Sequence, residues 1–227
     1  RFWESFFRLS FLSVTTVVLQ YVIGFALAHM VWKEIKFQRF FRVLFLIPMM
    51  TTPVIMTVIW RTFFHESLGP VNDILGNFGF APKWLTDPTL AKFTVIIVEV
   101  WQWTPFIFVV VFARYQALPT DVFESARVDG ASPLKIIRYI TLPLVSSAVV
   151  FAAIFRGIDS FRTFDLVYGL TFGGPGRSTT TLSFYAFENG FVYYRYGFSS
   201  ALSYIMVIMA TIGFTVLLKW IPVRRTH

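Results

Sequence analysis

Cysteine is absent from the chain, which excludes disulfides, thiol nucleophiles and thiolate metal sites and leaves the redox compartment open. Charge is scarce as well. Asp, Glu, Lys and Arg make up 14% of the 227 residues, against 56% hydrophobic and 19% aromatic. A soluble domain carries about a quarter charged residues, so lipid is the expected solvent. The three histidines, His29, His65 and His227, lack metal-ligand spacing and are read as structural or solvated. No paired carboxylates, histidine cluster or serine with a base stand at catalytic spacing, so a membrane-embedded enzyme is disfavoured and no catalytic residue is assigned. A net charge of +8 would suit nucleic acid, but no basic run is interleaved with aromatics, and the cations flank apolar stretches instead.

What is present is a series of long apolar runs. No charge falls between Arg8 and Lys33 or between Arg195 and Lys219, and each run is long enough to cross a bilayer core of about 30 Å. Shorter runs lie at Val43–Trp60, at Phe93–Ala113 around a lone Glu99, and at Tyr139–Phe155. Five spans are predicted, at about 9–32, 43–62, 93–115, 142–163 and 196–220, forming one transmembrane domain over 1–227. Lys33, Lys36, Arg39 and Arg42 place the first connection inside, because short positive loops stay in the cytoplasm. Alternation puts residues 65–91 outside, 114–138 inside, and Lys219, Arg224 and Arg225 inside. Five spans starting outside at an Arg1 that is not a Met predict a missing N-terminal span. Pro48 and Pro53 interrupt the second span, either as a packing kink or as the border of a cavity.

The segment Leu118–Pro143 encodes two short helices joined at a glycine. Thr120 or Asp121 is expected to cap the first, with Glu124 satisfying its free N–H groups, and Gly130 to end it. Ser132 caps the second, whose first residue is Pro133. Leu134, Ile137 and Ile140 are expected along one side. Such a pair is either a membrane-surface element or a docking knob for a cytosolic partner.

This segment closely resembles the EAA loop of binding-protein-dependent ABC importer permeases. It supplies Glu124, Ser125 and Ala126, then Asp129, Gly130 and Ala131, then Ile140, Leu142 and Pro143, departing from the family pattern at Ser125 and Ile137. Residues 160–176, with Phe164, Asp165, Tyr168 and Gly-Gly-Pro-Gly at 173–176, are similar to the carbohydrate branch of that family, particularly the maltose-type first permease. The resemblance implies an all-α polytopic bundle of the type I ABC importer permease kind in the bacterial cytoplasmic membrane. Residues 118–143 would then hold a coupling helix seated on an ABC ATPase dimer through Glu124, Ser125, Ala126, Asp129, Gly130, Ala131 and Leu134. The other implied partners are a second, distinct permease, an external solute-binding protein, and a sugar or polyol. ATP and Mg would be used by the ATPase, with no cofactor on this chain. The run at 173–179 lacks the Gly-Lys-Ser/Thr ending of a phosphate loop and is read as an external turn that meets the binding protein.

Intramembrane polar residues face cavities or one another. Glu99, Gln102 and Trp103 share one helical face, and Arg156, Ser160 and Thr163 share another. The family resemblance points to these two faces as sugar contacts; Glu99 and Arg156 as a purely structural ion pair is the alternative reading. An ion-coupled carrier or channel is the alternative function, but it leaves the knob without a purpose.

Overall fold

The computed structural model describes residues 1–32 and 38–220, with backbone alone for Gln38, Arg39, Phe214 and residues 217–220. Lys33, Lys36, Arg224 and Arg225, on which part of the expected orientation rests, and His227, read as structural or solvated, lie outside the described residues. All regular structure among the described residues is helical. In chain order the helices are α1 (Phe2–Trp32), α2 (Gln38–Met50), α3 (Pro53–Phe63), α4 (Pro70–Gly76), α5 (Pro88–Gln116), α6 (Thr120–Val128), α7 (Pro133–Ile136), α8 (Leu142–Ser160), α9 (Asp165–Leu170), α10 (Leu182–Phe187) and α11 (Tyr196–Trp220). A π-helical turn at Ile137–Thr141 joins α7 to α8, so that Pro133–Ser160 is one helix long and apolar enough to span a bilayer. Three further helices meet that test, α1, α5 and the Tyr196–Gly213 part of α11, and Phe40–Met50 with Pro53–Phe63 meets it only as a pair bent by 97°.

The run expected as the second span therefore forms two helices rather than one kinked helix. Pro48 lies inside α2 and Pro53 opens α3, and each lacks the N–H that would continue the helical ladder. The helix that holds the expected fourth span begins at Pro133, because the second half of the knob is continuous with it.

Three of these helices form the frame. On α1, Leu9, Leu12, Thr16, Gln20, Gly24, Ala28 and Val31 recur every three or four residues and are buried, which gives one continuous inward face. That face lies along α5, the most extensively buried span. Where the two cross, small residues allow close approach. A Cβ placed on Gly24 would stand 2.8 Å from Ile107 Cβ and 3.1 Å from the backbone nitrogen of Phe108. At one end of the bundle Ile107, Phe108, Val111, Phe112 and Tyr115 of α5 pack with Val145 and Ala152 of α8 and with Phe123 of α6. Trp32 seals this end, its ring 5.0 Å from Tyr115 and 4.9 Å from Phe123. At the other end Leu12, Val95, Ile96 and Val98 pack with Met56 and Phe64 of α3 and Leu166, Val167 and Leu170 of α9.

The knob projects beyond Trp32. Gly130, at φ +74°, closes α6, with Ala131 N–H donating to Ala126 O at 2.9 Å and Gly130 N–H to Arg127 O at 3.1 Å. Those two bonds are a Schellman cap, which needs a residue tolerant of the left-handed region. Ser132 caps α7 through Lys135 N–H and Pro133 follows it, as expected. The cap expected at Thr120 or Asp121 is not made: α6 starts at Thr120 behind an extended Pro119, and the Thr120 hydroxyl turns to the Asp121 carboxylate at 3.4 Å. Leu134, Ile137 and Ile140 do not share one environment: Ile136 and Ile140 pack on the core, while Leu134 is 75% exposed.

On the opposite end, residues 65–87 are less irregular than the sequence suggests, since α4 is organised by Asn72. Its Nδ2 donates to Glu66 O and Pro82 O, at 2.9 and 3.0 Å, and its Oδ1 accepts from Trp84 Nε1 at 2.8 Å. His65 Nδ1 accepts the backbone N–H groups of Ser67 and Leu68 there, and His29 Nδ1 meets the Tyr115 hydroxyl at 3.2 Å.

Replacing Gly24 by Val inserts two methyl groups and a Cβ where backbone stands at contact distance. Thermal unfolding in detergent should show a loss of about 1–3 kcal/mol, the usual cost of overpacking a core, while Gly213→Val, whose Cβ would meet nothing within 4 Å, should be close to neutral.

Candidate functional site

Between the two apolar clusters the three framing helices are joined by one side chain. Arg156, on α8, is fully buried, the largest side chain among the described residues to be so. Its Nη2 donates to Glu99 Oε1 of α5 at 2.9 Å, its Nε to Gln20 Oε1 of α1 at 3.0 Å, and its Nη1 to Asp159 one turn on. The guanidinium carbon lies 4.4 Å from the centre of the Trp103 ring, in cation–π geometry. Gln20 is itself fixed, its Nε2 donating to Glu99 O at 3.1 Å. A planar cation with donors on three edges suits this task; lysine, a single point charge, does not. In a lipid-facing bundle, removing so large a cation from water requires partners of this quality.

A polar cavity of about 150 Å³ opens beside this junction, lined by Pro53, Glu99, Gln102, Trp103, Asp159, Arg162, Thr163, Phe164, Asp165 and Leu166. The bend between α2 and α3 forms one wall. Gln102 reaches across to it, its Nε2 donating to Thr51 O at 3.4 Å. Four of the six residues singled out from the sequence, Glu99, Gln102, Trp103 and Thr163, line this cavity. Arg156 and Ser160 stand behind it. Ser160 lines only a void of about 10 Å³ with Ser13, Thr16, Glu99 and Thr181, its hydroxyl 3.3 Å from Gly157 O. Its backbone carbonyl accepts from Ser13 and Thr163 at 3.0 and 2.8 Å.

Gln20, Asp159, Arg162 and Asp165 complete the site and are not among the six residues singled out from the sequence as sugar contacts, although Asp165 belongs to the motif that carries the family resemblance. Gln20 carries a signal there, as the lone amide in the charge-free run after Arg8. Asp159 does too, three residues after Arg156 and so within reach of it. Arg162 and Asp165 follow the end of α8, where helical spacing stops predicting direction.

A larger groove of about 660 Å³ between α1, α2 and α5 is lined by apolar side chains such as Leu19, Phe45, Pro48 and Trp101. Its one hydroxyl, Thr104, is spent on Val100 O at 2.6 Å, so it offers a polar solute little. No group of three or more His, Cys, Asp and Glu residues suited to a metal occurs among the described residues.

This arrangement, with four helices and a bent pair able to span a bilayer, a polar pocket at their centre and a knob at one end, is matched in known proteins. The family model described as binding-protein-dependent transport system inner membrane component covers residues 20–223. The chain belongs to this family. It is 38% identical to a probable ABC transporter permease of Sinorhizobium fredii over 91% of this chain and 67% of that protein. It is 36% identical to the trehalose/maltose transport system permease protein MalF of Thermococcus litoralis, over 95% and 72%. It is 33% identical to the sulfoquinovosyl glycerol transport system permease protein SmoG of Agrobacterium fabrum, over 92% and 68%. Among solved structures, a chain of a bacterial alginate ABC transporter superposes with a TM-score of 0.86 at 22% identity, covering 94% of this chain and 75% of that one. A chain of the MetNI methionine ABC transporter gives 0.65 at 18%, covering 96% and 93%. The fold is thus that of an ABC importer permease, and the protein is a multi-pass transport subunit.

Because Arg156 serves both carboxylates, removing it alone strands Glu99 in the interior. Arg156→Met should cost the permease about 3–5 kcal/mol in thermal unfolding, and combining it with Glu99→Leu should recover a large part of that loss, as replacing a whole buried pair is far cheaper than breaking it.

Proposed function

We propose that this permease carries a sugar or polyol across the bacterial cytoplasmic membrane by alternating access. The solute comes from an external binding protein, and the work comes from an ABC ATPase dimer that docks on the knob and uses ATP and Mg. The observation that carries this reading is the pairing of a mid-bundle polar cavity with a rigid, capped knob at one end of the same helices. The cavity offers a solute an amide at Gln102, carboxylates at Asp159 and Asp165, a hydroxyl at Thr163 and the indole of Trp103, the mixture of flat apolar wall and convergent polar groups that a hydroxyl-rich ligand needs. One relative carries such solutes by name, trehalose/maltose.

The knob supports the coupling half. Phe123 and Ala126 face inward and anchor it, while Glu124, Ser125, Asp129, Gly130 and Leu134 face outward, and Val128 beside them is 87% exposed. Val128, between Arg127 and Asp129, and Leu134, between Pro133 and Lys135, are the exposed apolar side chains that the knob offers to a partner. Since α7 runs through the π turn into α8, a push on the knob is delivered along one helix to Arg156 and the cavity wall. Much of α11 is bare as well, with Tyr204, Val207, Ile208 and Ile212 exposed, which suits lipid and a second, distinct permease. Membership of a binding-protein-dependent family sets aside the ion-coupled carrier.

Reconstitution tests the coupling. Val128→Asp should leave helix content and assembly of the two permeases unchanged but lower sugar-stimulated ATP hydrolysis at least tenfold, since one desolvated charge in an interface costs more than about 1.4 kcal/mol. Uptake at the normal rate by that variant, or gradient-driven uptake by the permease without any ATPase, would contradict the proposal.

A further inference from the structure

The charges around the cavity do not all remain available to a solute, and the difference bears on which solutes fit. This step rests on the cavity being the transport site. Arg156 would be the natural anchor for a sugar acid, but it is wholly buried, absent from the cavity lining, and engaged by Glu99, Gln20, Asp159 and the face of Trp103. What the cavity exposes instead is carboxylate. Asp159 uses one oxygen on Arg156 and leaves its side chain 38% exposed. Asp165, the first residue of α9, is exposed on the same wall, while Glu99 is buried and paired with Arg156. Against these stands Arg162, the one cation of the lining, which is shared with a second groove running toward Ser203 and Met206 of α11. With Glu99 and Arg156 engaged by each other, two exposed carboxylates face a single exposed guanidinium at the cavity wall.

We infer that this site selects an uncharged polyhydroxylated solute over its acidic counterpart, and that Asp159 is the residue that sets the selection. A sugar hydroxyl donates to a carboxylate oxygen and a ring lies against Trp103, so a neutral sugar exchanges its water for paired groups. A uronate or sulfonate brought to the same place sheds its hydration facing Asp159 and Asp165, with Arg162 alone to receive it, and like charge at close range in a partly desolvated pocket is a strong means of exclusion. Arg156 here is a positioning residue: it holds the Asp159 carboxylate at the wall.

The test uses the complete permease–ATPase complex in nanodiscs without its binding protein, so that only the membrane site is read. Saturation-transfer NMR compares glucose with glucuronate and trehalose with a glucuronate-containing disaccharide. The wild type should favour the neutral member of each pair by about tenfold or more, and Asp159→Asn, which keeps a hydrogen-bond acceptor for Arg156, should narrow the preference by about tenfold, the effect of one charge–charge contact of modest strength. Asp165→Asn should move it in the same direction, which preserves the test if the first variant does not assemble. A wild type that binds the acids equally or better, or a preference unchanged in both variants, would overturn the inference while leaving sugar transport intact. Binding of no sugar at all would overturn the proposed function with it.

Discussion

One buried guanidinium organises this molecule. Arg156 joins α8 to α5 through Glu99 and to α1 through Gln20, and it does so at the height where two apolar clusters leave a gap between them. Apolar packing gives helices in lipid little reason to choose one neighbour over another, since the tails are as apolar as leucine. A charged group that must find three partners, by contrast, admits one arrangement. The cost of burying the ion is met by its hydrogen bonds, and the return is a defined geometry around a cavity that would otherwise be ordinary helix packing.

The cavity then follows from what the frame leaves unpaired. The chain bends between α2 and α3, where Pro48 and Pro53 interrupt the helical ladder, and Gln102 donates to Thr51 O at that bend. Asp159 is pulled to the wall by Arg156 and Trp103 is held flat beneath it. Gln102, Asp159 and Trp103 all sit on helices rather than loops. Asp159 lies on α8, which runs through the π turn into the knob, while Gln102 and Trp103 lie on α5, so that movement of α8 against α5 would change the shape of the cavity.

Much of this is legible in the sequence and some is not, for identifiable reasons. The spans are readable because lipid penalises charge so heavily that a long charge-free run is rarely anything but a membrane crossing. The boundary at Pro133 is not readable in the same way, because a π turn lets a loop helix continue into a span. The Schellman cap at Gly130 and the Ser132–Pro133 start are readable because local chemistry decides them. Thr120 misleads, since Pro119 supplies an extended entry to α6 without needing a side chain. Glu99 with Arg156 stands out as a candidate pair because two unlike charges in apolar segments demand each other. Helical spacing does not show that Arg156 and Ser160 lie behind the cavity rather than in it, nor that Gln20, 79 residues from Glu99, completes the junction. Those facts depend on which helix faces which.

The claim on which the rest depends is that Arg156 is an internal tie and the solute meets Asp159, Gln102 and Trp103 in front of it. Electron cryo-microscopy of the complete transporter, trapped with a neutral sugar, measures this directly. The sugar should lie against Trp103 within hydrogen-bond distance of Asp159, with Arg156 still bonded to Glu99 and Gln20. A sugar held directly by Arg156, its bond to Glu99 broken, or one bound elsewhere with this cavity closed, would contradict the account.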